Sequence, residues 1–399
     1  MNFSRLISLA LCAAAASASR LFVSSYAGNV TSLALTEKDG AYSLTPTYNA
    51  TECGTSPSWL TLDATNGLLF CVNEGMATSN GSLSSFRVNQ DGSLSHVQNL
   101  TTLAGPVHAT LYGNPSGRRG IVLAHYGSAI STYTLKAAGP GDAGVDFSSS
   151  QTFTASPGPV ADRQNAPHPH QAILDPTGKY MLVPDLGTDQ IRVFSYNSDN
   201  LALNPLDSLV TDPGAGPRHA AFWTPNGVSC ENCTTFLYVV NEISGTVASY
   251  KVSYRENNAG LRFELKDTQN ALGHLVSPQR NAPSEISVSP DNRFLLIGNR
   301  NDTTFNPPNK DKSATIKSDS ISTFALNGDG SLMFVQAAPA YGSYPRHFST
   351  NKAGNLIAVG LQKSSEVVVF SRDVVTGLIV KPVAMARIEG EVSSVVWNE

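Results

Sequence analysis

The chain has 399 residues, of which 41% are hydrophobic and 15% charged, and its formal net charge is −4. This length alone would suggest two or three domains, while the slightly acidic balance, with scattered Lys and Arg, offers no basic face for nucleic acid. Beyond the N-terminus no segment is long and apolar enough to span a membrane. We therefore expect neither a nucleic-acid nor a membrane partner.

The first 18 residues have the three parts of a secretory signal peptide. A basic segment ends at Arg5, an apolar run covers residues 6–16, and small residues around Ala18 offer a cleavage site. The apolar run is too short to cross a bilayer, and a buried N-terminal helix is the alternative interpretation. We predict a secreted protein with residues 1–18 removed and a mature domain at residues 19–399.

One sequence unit recurs along the mature chain: a strand introduced by proline, a turn resembling Asp-Pro-x-Gly, an apolar strand, a polar loop and a strand ending in an aromatic residue. Its clearest copy follows His170, and others begin near Pro57, Pro106, Pro217, Pro283 and Pro345. Repeats spaced by roughly 45 to 65 residues, rich in β-branched and aromatic residues, are typical of four-stranded propeller blades.

Two fragments at the chain ends complete this count. The mature chain starts near Leu21 directly in a second strand, and residues 391–397 form a lone first strand. Joined, they make the last of seven blades, which closes the ring and removes the exposed sheet edges. The predicted fold is therefore all-β, a seven-bladed β-propeller closed by pairing of the two chain ends.

Cysteines and acceptor triplets agree with export. Cys53 precedes a first strand and Cys71 lies near the end of the second strand of the same blade, so we predict that they form a disulfide. We expect Cys230 and Cys233 to close a small loop on the opposite side of the propeller, with zinc binding or redox chemistry as the alternatives. The candidate N-glycosylation sites, all assigned to loops or loop edges, are Asn29, Asn49, Asn80, Asn99, Asn232 and Asn301.

Polar residues gather at one predicted rim of the propeller. The first strand lines the channel and the second runs antiparallel to it, so the start of one lies beside the end of the other. Five of the eight histidines fall at first-strand starts, and His125 falls at a second-strand end. The alternative interpretation is that these groups only tie the blades together. The polar residues at first-strand starts are His108, His168, His170, Arg218, His219, Glu285, Arg346 and His347, and those at second-strand ends include Glu74, Asp185, Glu242 and Arg300.

With these residues in view, the chain resembles the lactonase family of seven-bladed propellers, which includes bacterial-type 6-phosphogluconolactonase and fungal carboxy-cis,cis-muconate cyclase. The motifs that carry the resemblance are PHPHQAILDPTGKYMLVPDLGTDQ, GPRHAAF, VVNE, PSEISVSPDNRFLLIGNR and YPRHF, and the resemblance covers essentially the whole mature chain. The resemblance implies a functional set of His170, Arg218, Glu242 and Arg300.

Each residue of that set has a chemistry suited to lactones or unsaturated diacids. Arg218 and Arg300 would hold carboxylate or carbonyl oxygens, with Arg346 as a third candidate. His170, with a pKa near neutrality, would act as general acid/base, and Glu242 as its electrostatic partner or a second proton-transfer group. The other expected substrate contacts are Glu74, His168, Asp185, His219, Glu285 and His347.

We expect no cofactor and no metal, because the HPH motif lacks a third ligand at recognisable spacing. The polar insertion at residues 301–320 is expected to lie over the functional rim. The leading hypothesis is a secreted hydrolase of a lactone, preferably non-phosphorylated, because no Gly-rich anion loop or Lys cluster accompanies the arginines. The alternatives are a cycloisomerase of the muconate cyclase type and a noncatalytic propeller that binds a carbohydrate or a protein.

Overall fold

A computed structural model describes residues 19–399 except 115–116, 137–143, 198, 231 and 310. The predicted signal peptide, residues 1–18, lies outside this range. Within the described residues, no helix has the length and apolar character needed to cross a membrane.

The chain forms seven antiparallel sheets of four strands each. From the innermost strand outward, blade 1 contains β28 (Val392–Asn398), β1 (Ser19–Ser25), β2 (Asn29–Lys38) and β3 (Ala41–Ala50), and blade 2 contains β4 (Pro57–Asp63), β5 (Leu68–Asn73), β6 (Gly81–Val88) and β7 (Leu94–Thr102). Blade 3 contains β8 (Pro106–Gly113), β9 (Arg119–His125), β10 (Ala129–Leu135) and β11 (Val145–Thr152), blade 4 contains β12 (Ile173–Leu174), β13 (Tyr180–Asp185), β14 (Gln190–Tyr196) and β15 (Leu203–Val210), and blade 5 contains β16 (Pro217–Trp223), β17 (Thr235–Asn241), β18 (Thr246–Tyr254) and β19 (Leu261–Asn270). Blade 6 contains β20 (Ala282–Val288), β21 (Phe294–Arg300), β22 (Ser320–Leu326) and β23 (Leu332–Pro339), and blade 7 contains β24 (Pro345–Thr350), β25 (Leu356–Leu361), β26 (Glu366–Arg372) and β27 (Ile379–Arg387). Two single-turn 3-10 helices occupy Ala64–Asn66 and Glu256–Asn258.

The two chain ends close the ring as predicted. β28 pairs antiparallel with β1, with Val23 opposite Val395. This confirms the seven-bladed propeller, in which the last blade is shared by the two ends of the chain.

The hydrophobic core is divided into layers between neighbouring blades. The second strands β5, β13, β17, β21 and β25 are buried along their whole length. Leu21 and Val23 of blade 1, for example, pack in one cluster with Ala358 and Val367 of blade 7. Because each blade covers the apolar face of the next, the inner strands are held rigidly around the channel.

Serine side chains fasten adjacent blades near the channel. Ser58 donates to the carbonyl of Pro106 at 2.7 Å, and Ser284 donates to that of Pro345 at 2.6 Å. The acceptor in both bonds is the proline that begins the next first strand. These bonds fix the starts of the inner strands relative to one another.

Both predicted disulfides are present, with Cα–Cα distances of 5.9 Å for Cys53–Cys71 and 5.0 Å for Cys230–Cys233. The predicted glycosylation sites differ in accessibility: Asn49, Asn80, Asn99 and Asn232 are exposed, Asn301 is half-buried, and Asn29 is only 7% exposed.

Asn29 stays a predicted glycosylation site; in the folded protein its side chain is buried and its Nδ2 donates to Glu389 Oε2 at 3.3 Å. Asn29 begins β2 and Asn49 is the next-to-last residue of β3, so both lie at loop edges as expected, whereas Asn99 lies in the interior of β7.

Candidate active site

Each first strand with a leading proline begins with an irregularity. In blades 2, 3, 5 and 7 the proline pairs with the last residue of the second strand, and the register shifts immediately afterwards. Such a bulge breaks the alternation of side chains and re-aims them. Consecutive residues such as Ser58 and Trp59, or Arg218 and His219, consequently line the same narrow central cavity.

This register defines three groups of side chains at the channel mouth. The blade 4 equivalent of the leading proline is Pro169, which bridges to Asp185, and in blade 1 it is Val392, opposite Ser25. The rim set contains, from each blade, the residue that ends the second strand or directly follows it: Tyr26, Glu74, Tyr126, Leu186, Glu242, Arg300 and Gln362. The first channel set lies one residue after the proline equivalent: Ser58, Val107, His170, Arg218, Ser284, Arg346 and Ser393. The second channel set lies one residue further on: Trp59, His108, Gln171, His219, Glu285, His347 and Ser394.

Glu242 is the centre of an ion-pair cluster. Its Oε2 lies 2.9 Å from Arg218 Nε and 2.7 Å from Arg300 Nη2, and its Oε1 contacts Arg163 Nη2. Burial would raise the pKa of Glu242, but Arg300, Arg218 and Arg163 together outweigh burial and hold that pKa far below 4.5. A carboxylate kept ionised in this way is a poor proton carrier, so the geometry favours the electrostatic role among the two predicted.

The cluster carries more positive than negative charge, because three guanidinium groups share one carboxylate. Burial, followed by Arg300, lowers the pKa of Arg218 to about 9, which leaves Arg218 protonated at neutral pH. Arg300 donates its Nε–H to the Ala282 carbonyl at 3.1 Å, and Arg218 donates to the Ser284 carbonyl. The guanidinium planes are thus fixed in place, ready to meet an anion or an oxygen that gains negative charge.

Gly216 allows Arg218 and Glu242 to come together. The Glu242 backbone N–H donates to the Gly216 carbonyl at 2.8 Å, and the Gly216 N–H donates to Asp189 Oδ1 at 2.8 Å. Gly216 has a φ of +66°, and a Cβ at this position would lie 2.4 Å from the Ile243 side chain. Only glycine fits this turn, which explains the glycine of the GPRH motif.

His170 joins a chain of buried polar groups. Its Nδ1 lies 3.2 Å from His219 Nε2, and His219 Nδ1 lies 3.2 Å from Glu285 Oε2. His347 Nε2 approaches the same carboxylate oxygen at 3.5 Å. His219 and Glu285, predicted as substrate contacts, therefore form hydrogen bonds or ion pairs within the protein.

These imidazoles are neutral at neutral pH. Burial, reinforced by the nearby Arg218 guanidinium, lowers the pKa of His170 and of His219 well below 6.5. Burial also lowers the pKa of His347 to about 4, although Glu285 opposes the shift. The expected near-neutral pKa of His170 is therefore corrected to a lower one. A neutral imidazole can accept a proton, and it stays available in mildly acidic solution.

Arg346 lies on another side of the mouth. Its Cζ is 5.4 Å from the ring centroid of Tyr26, and the Tyr26 hydroxyl donates to Glu74 Oε2 at 2.8 Å. It lines the central cavity together with His170 and Arg218. Among the residues that the structure describes, no carboxylate lies within ion-pair distance of Arg346, so this guanidinium is available to a substrate anion.

His168 and Asp185, also predicted to contact substrate, are engaged locally. Asp185 accepts the His168 backbone N–H at 2.6 Å and the Arg192 Nε–H at 2.8 Å. His168 Nδ1 lies 2.7 Å from the Tyr126 carbonyl. The geometry thus gives this pair a positioning role, since their contacts fix the segment that carries His170.

Among the site residues absent from the predicted set are Arg163 and Trp59. Arg163 comes from the segment before blade 4, which has no counterpart in the repeat, so nothing in the repeat pattern points to it. Trp59 lies two residues after Pro57, in the register of His108 and His347, and its ring centroid lies 4.1 Å and 4.6 Å from theirs. The register alone could have identified Trp59.

The insertion at residues 301–320 begins at the rim, but its tip leans outward. Isolated bridges pair Phe305 with Ser318 and Pro308 with Thr315. Pro308 and Ile316 line a cavity of about 850 Å³ whose opposite wall includes residues 382–385 of β27. No rim or channel residue lines this cavity. The expectation that the tip covers the functional rim is therefore wrong, because the hairpin packs towards the outer strand of blade 7.

Among the described residues, no group of His, Cys, Asp and Glu side chains is arranged to hold a metal ion. The expectation of a reaction without metal or cofactor stays a prediction.

Sequence comparison identifies the class of protein that this fold and site define. The family model described as "Lactonase, 7-bladed beta-propeller" matches residues 20–397, and the chain belongs to this family. The resemblance to lactonases and the prediction of a lactonase-type enzyme are confirmed at this level.

Individual relatives agree with this membership. A protein of Arthroderma benhamiae named a probable 6-phosphogluconolactonase is 31% identical over 93% of this chain and 86% of its own. The 6-phosphogluconolactonase of Formosa agariphila is 30% identical over 81% of this chain and 83% of its own. The solved structure of the periplasmic gluconolactonase of Pseudomonas aeruginosa has a TM-score of 0.73 and 24% identity, covers 96% of this chain and 99% of its own, and supports the fold.

Proposed function

We propose that the protein is a secreted lactonase that hydrolyses a non-phosphorylated lactone at the channel mouth, with His170 as general base. The observation that carries this proposal is the neutral His170 imidazole in one cavity with Arg218 and Arg346. It places a proton acceptor beside two groups that stabilise negative charge.

In the proposed reaction, His170 takes a proton from a water molecule as the water oxygen bonds to the lactone carbonyl carbon. The carbonyl π electrons move onto its oxygen, and Arg218 stabilises the resulting oxyanion. When the intermediate collapses, the ring C–O bond breaks and the leaving alkoxide takes the proton from His170. The product is the open hydroxy acid, and His170 is neutral again.

Glu242 takes no proton in this scheme. It holds the guanidinium groups of Arg218, Arg300 and Arg163 against their mutual repulsion, so that they stay in position for the substrate. Arg346, to which the described residues bring no carboxylate within ion-pair distance, would bind a carboxylate or another polar oxygen of the substrate.

The preference for a non-phosphorylated substrate rests on two observations. A phosphate dianion is usually met by several unpaired cationic donors, whereas Arg163, Arg218 and Arg300 already share Glu242. The N-terminal 18 residues and the two disulfides also favour an exported enzyme, which would not meet a cytosolic sugar phosphate.

The test is acid release by purified protein, measured in a pH-stat above the spontaneous rate, with D-glucono-1,5-lactone, its 6-phospho derivative and a muconate-type diene diacid. We expect the unphosphorylated lactone to react fastest. Faster turnover of the phosphorylated lactone would contradict the preference, and turnover of the diacid alone would replace hydrolysis with cyclisation. No turnover on a wider lactone panel would favour the noncatalytic binding propeller.

Variants test the residue roles. We expect His170→Gln to lower kcat by about 100-fold or more, and Arg346→Ala chiefly to raise KM. His96→Gln is the matched control, because His96 is an exposed histidine of the outer strand β7. Equal activity of His170→Gln and His96→Gln would reject the assignment of the base. Export is tested by the N-terminus of protein secreted from a eukaryotic host, which should be Ser19.

A further inference from the structure

We propose that His219 and Glu285, supported by His347, are positioning residues that select the nitrogen with which His170 acts as base. This inference rests on the proposed role of His170 in lactone hydrolysis. It assigns to His219 and Glu285 a function other than contact with the substrate.

The direction of the hydrogen bonds can be followed from one end of the chain of groups. The Val395 backbone N–H donates to His347 Nδ1 at 3.0 Å, so a neutral His347 carries its proton on Nε2, which faces Glu285 at 3.5 Å. Burial raises the pKa of Glu285, and His347 and Arg218 oppose the shift; the ionised carboxylate accepts a hydrogen bond from His219 Nδ1 at 3.2 Å. The bare Nε2 of His219 then accepts the proton of His170 Nδ1 at 3.2 Å.

This order leaves His170 Nε2 without a proton. In the part of the chain that the structure describes, no hydrogen-bond partner occupies that nitrogen, and the His170 side chain borders the central cavity. Nε2 is therefore the nitrogen that can act as the base. A change of tautomer would place a proton there and block the reaction.

Glu285 also supplies the negative charge that an imidazolium at His170 needs. The charged groups that face His170 are the guanidiniums of Arg218, Arg346 and Arg300, while the neighbouring His219 is neutral. All three guanidiniums oppose protonation of His170. The Glu285 carboxylate, one imidazole away, partly offsets that opposition, and the proton on His170 Nδ1 stays in place throughout.

A substrate-binding role for His219 or Glu285 does not fit their surroundings. His219 is 1% exposed, and each of its ring nitrogens lies opposite a protein atom, in His170 and in Glu285. Glu285 is 6% exposed and accepts the Ile286 backbone N–H at 3.1 Å as well. Their polar atoms are engaged before any ligand arrives.

The direct test is the tautomer of His170 in the wild-type protein, read by long-range ¹H–¹⁵N NMR with labelled histidine and assigned by loss of the signal in His170→Gln. We expect a proton on Nδ1 and none on Nε2 at neutral pH. The opposite tautomer, or a protonated ring, would overturn the inference. This measurement needs no turnover, so it decides the tautomer even if the proposed hydrolysis fails.

The second test is Glu285→Gln, which keeps the shape and removes the charge. We expect kcat to fall roughly 10- to 100-fold with KM nearly unchanged, and the acid limb of the kcat/KM profile to move to lower pH. Glu256→Gln is the matched control, because it makes the same substitution at an exposed glutamate of the 3-10 helix between the outer strands β18 and β19.

If Glu285→Gln has the same kcat and pH profile as the wild type, the inference is overturned, whereas the proposed lactone hydrolysis is not. Circular dichroism checks that the variant is folded. If it is not, the tautomer measurement on the wild-type protein still decides between the two outcomes.

Discussion

Substitution of Glu242 by glutamine tests whether the arginine cluster is held together by one charge. The variant keeps the side-chain volume and removes the carboxylate that, among the described residues, contacts Arg163, Arg218 and Arg300 together. The three guanidinium groups then repel one another without compensation. We expect a folded but clearly destabilised protein.

The size of the effect can be worked out from the contacts. At an effective dielectric constant of about 20, unit charges 4 Å apart interact by about 4 kcal/mol, but desolvation offsets most of such a gross sum. Removing one partner of a buried ion pair costs about 3–5 kcal/mol. With an unfolding entropy of about 2.1 cal/mol/K per residue, residues 19–399 give about 0.8 kcal/mol/K, so the Tm should fall by about 4–6 °C.

The assay is thermal unfolding by calorimetry, with Glu366→Gln as control. Glu366 faces the largely exposed Arg387 at 3.8 Å, and loss of such a surface pair costs about 1 kcal/mol or less. Added sulfate should raise the Tm of Glu242→Gln more than that of the wild type, because the freed guanidiniums gain a counter-ion. Equal Tm values for the two variants, or no preferential effect of sulfate, would refute the reasoning.

Further outcomes follow from the buried histidines and the disulfide. The acid limb of kcat/KM should lie below pH 6.5, because His170 acts when neutral and its pKa is lowered; a limb at or above that pH would contradict this. The free energy of unfolding should fall as the pH drops from 6.5 to about 4, because the unfolded chain protonates His125 and His347 before the native protein does. Each of these histidines adds up to about 1.4 kcal/mol per pH unit to this slope. Urea titrations at pH 7 and 5 measure the effect, and equal free energies of unfolding at the two pH values would contradict the prediction. Replacing both Cys53 and Cys71 by serine should cost about 3 kcal/mol, because the cross-link closes a loop with a sequence separation of 18; an unchanged urea midpoint would rule this out.

The fold is largely predictable from the sequence because its signals are local and repeated. The prolines that begin β4, β8, β16 and β24 mark four of the seven first strands, and the two unmatched end fragments require closure. The outward lean of the insertion was not predictable in this way. It depends on packing of Pro308 and Ile316 towards residues 382–385, which are distant in sequence.

The candidate site is predictable as a location but not as a division of roles. The strand-end rule brings His170, Arg218 and Glu242 to one rim, yet it gives His219 and Glu285 the same status as Arg346. The structure shows that His219 and Glu285 are engaged inside the protein, whereas no carboxylate of the described residues forms an ion pair with Arg346. The strand-end rule does not predict Arg163, because Arg163 lies outside the repeat and contacts Glu242 from the segment before blade 4.

The bulge at the start of β16 is what allows one short motif to serve two purposes. In a regular strand, Arg218 and His219 would point to opposite faces, and one would be lost in the packing between blades. With the register shift after Pro217, Arg218 reaches Glu242 while His219 reaches His170 and Glu285. The charge that stabilises an oxyanion and the group that orients the base are then adjacent in the chain. The proposed ring opening uses both groups at once.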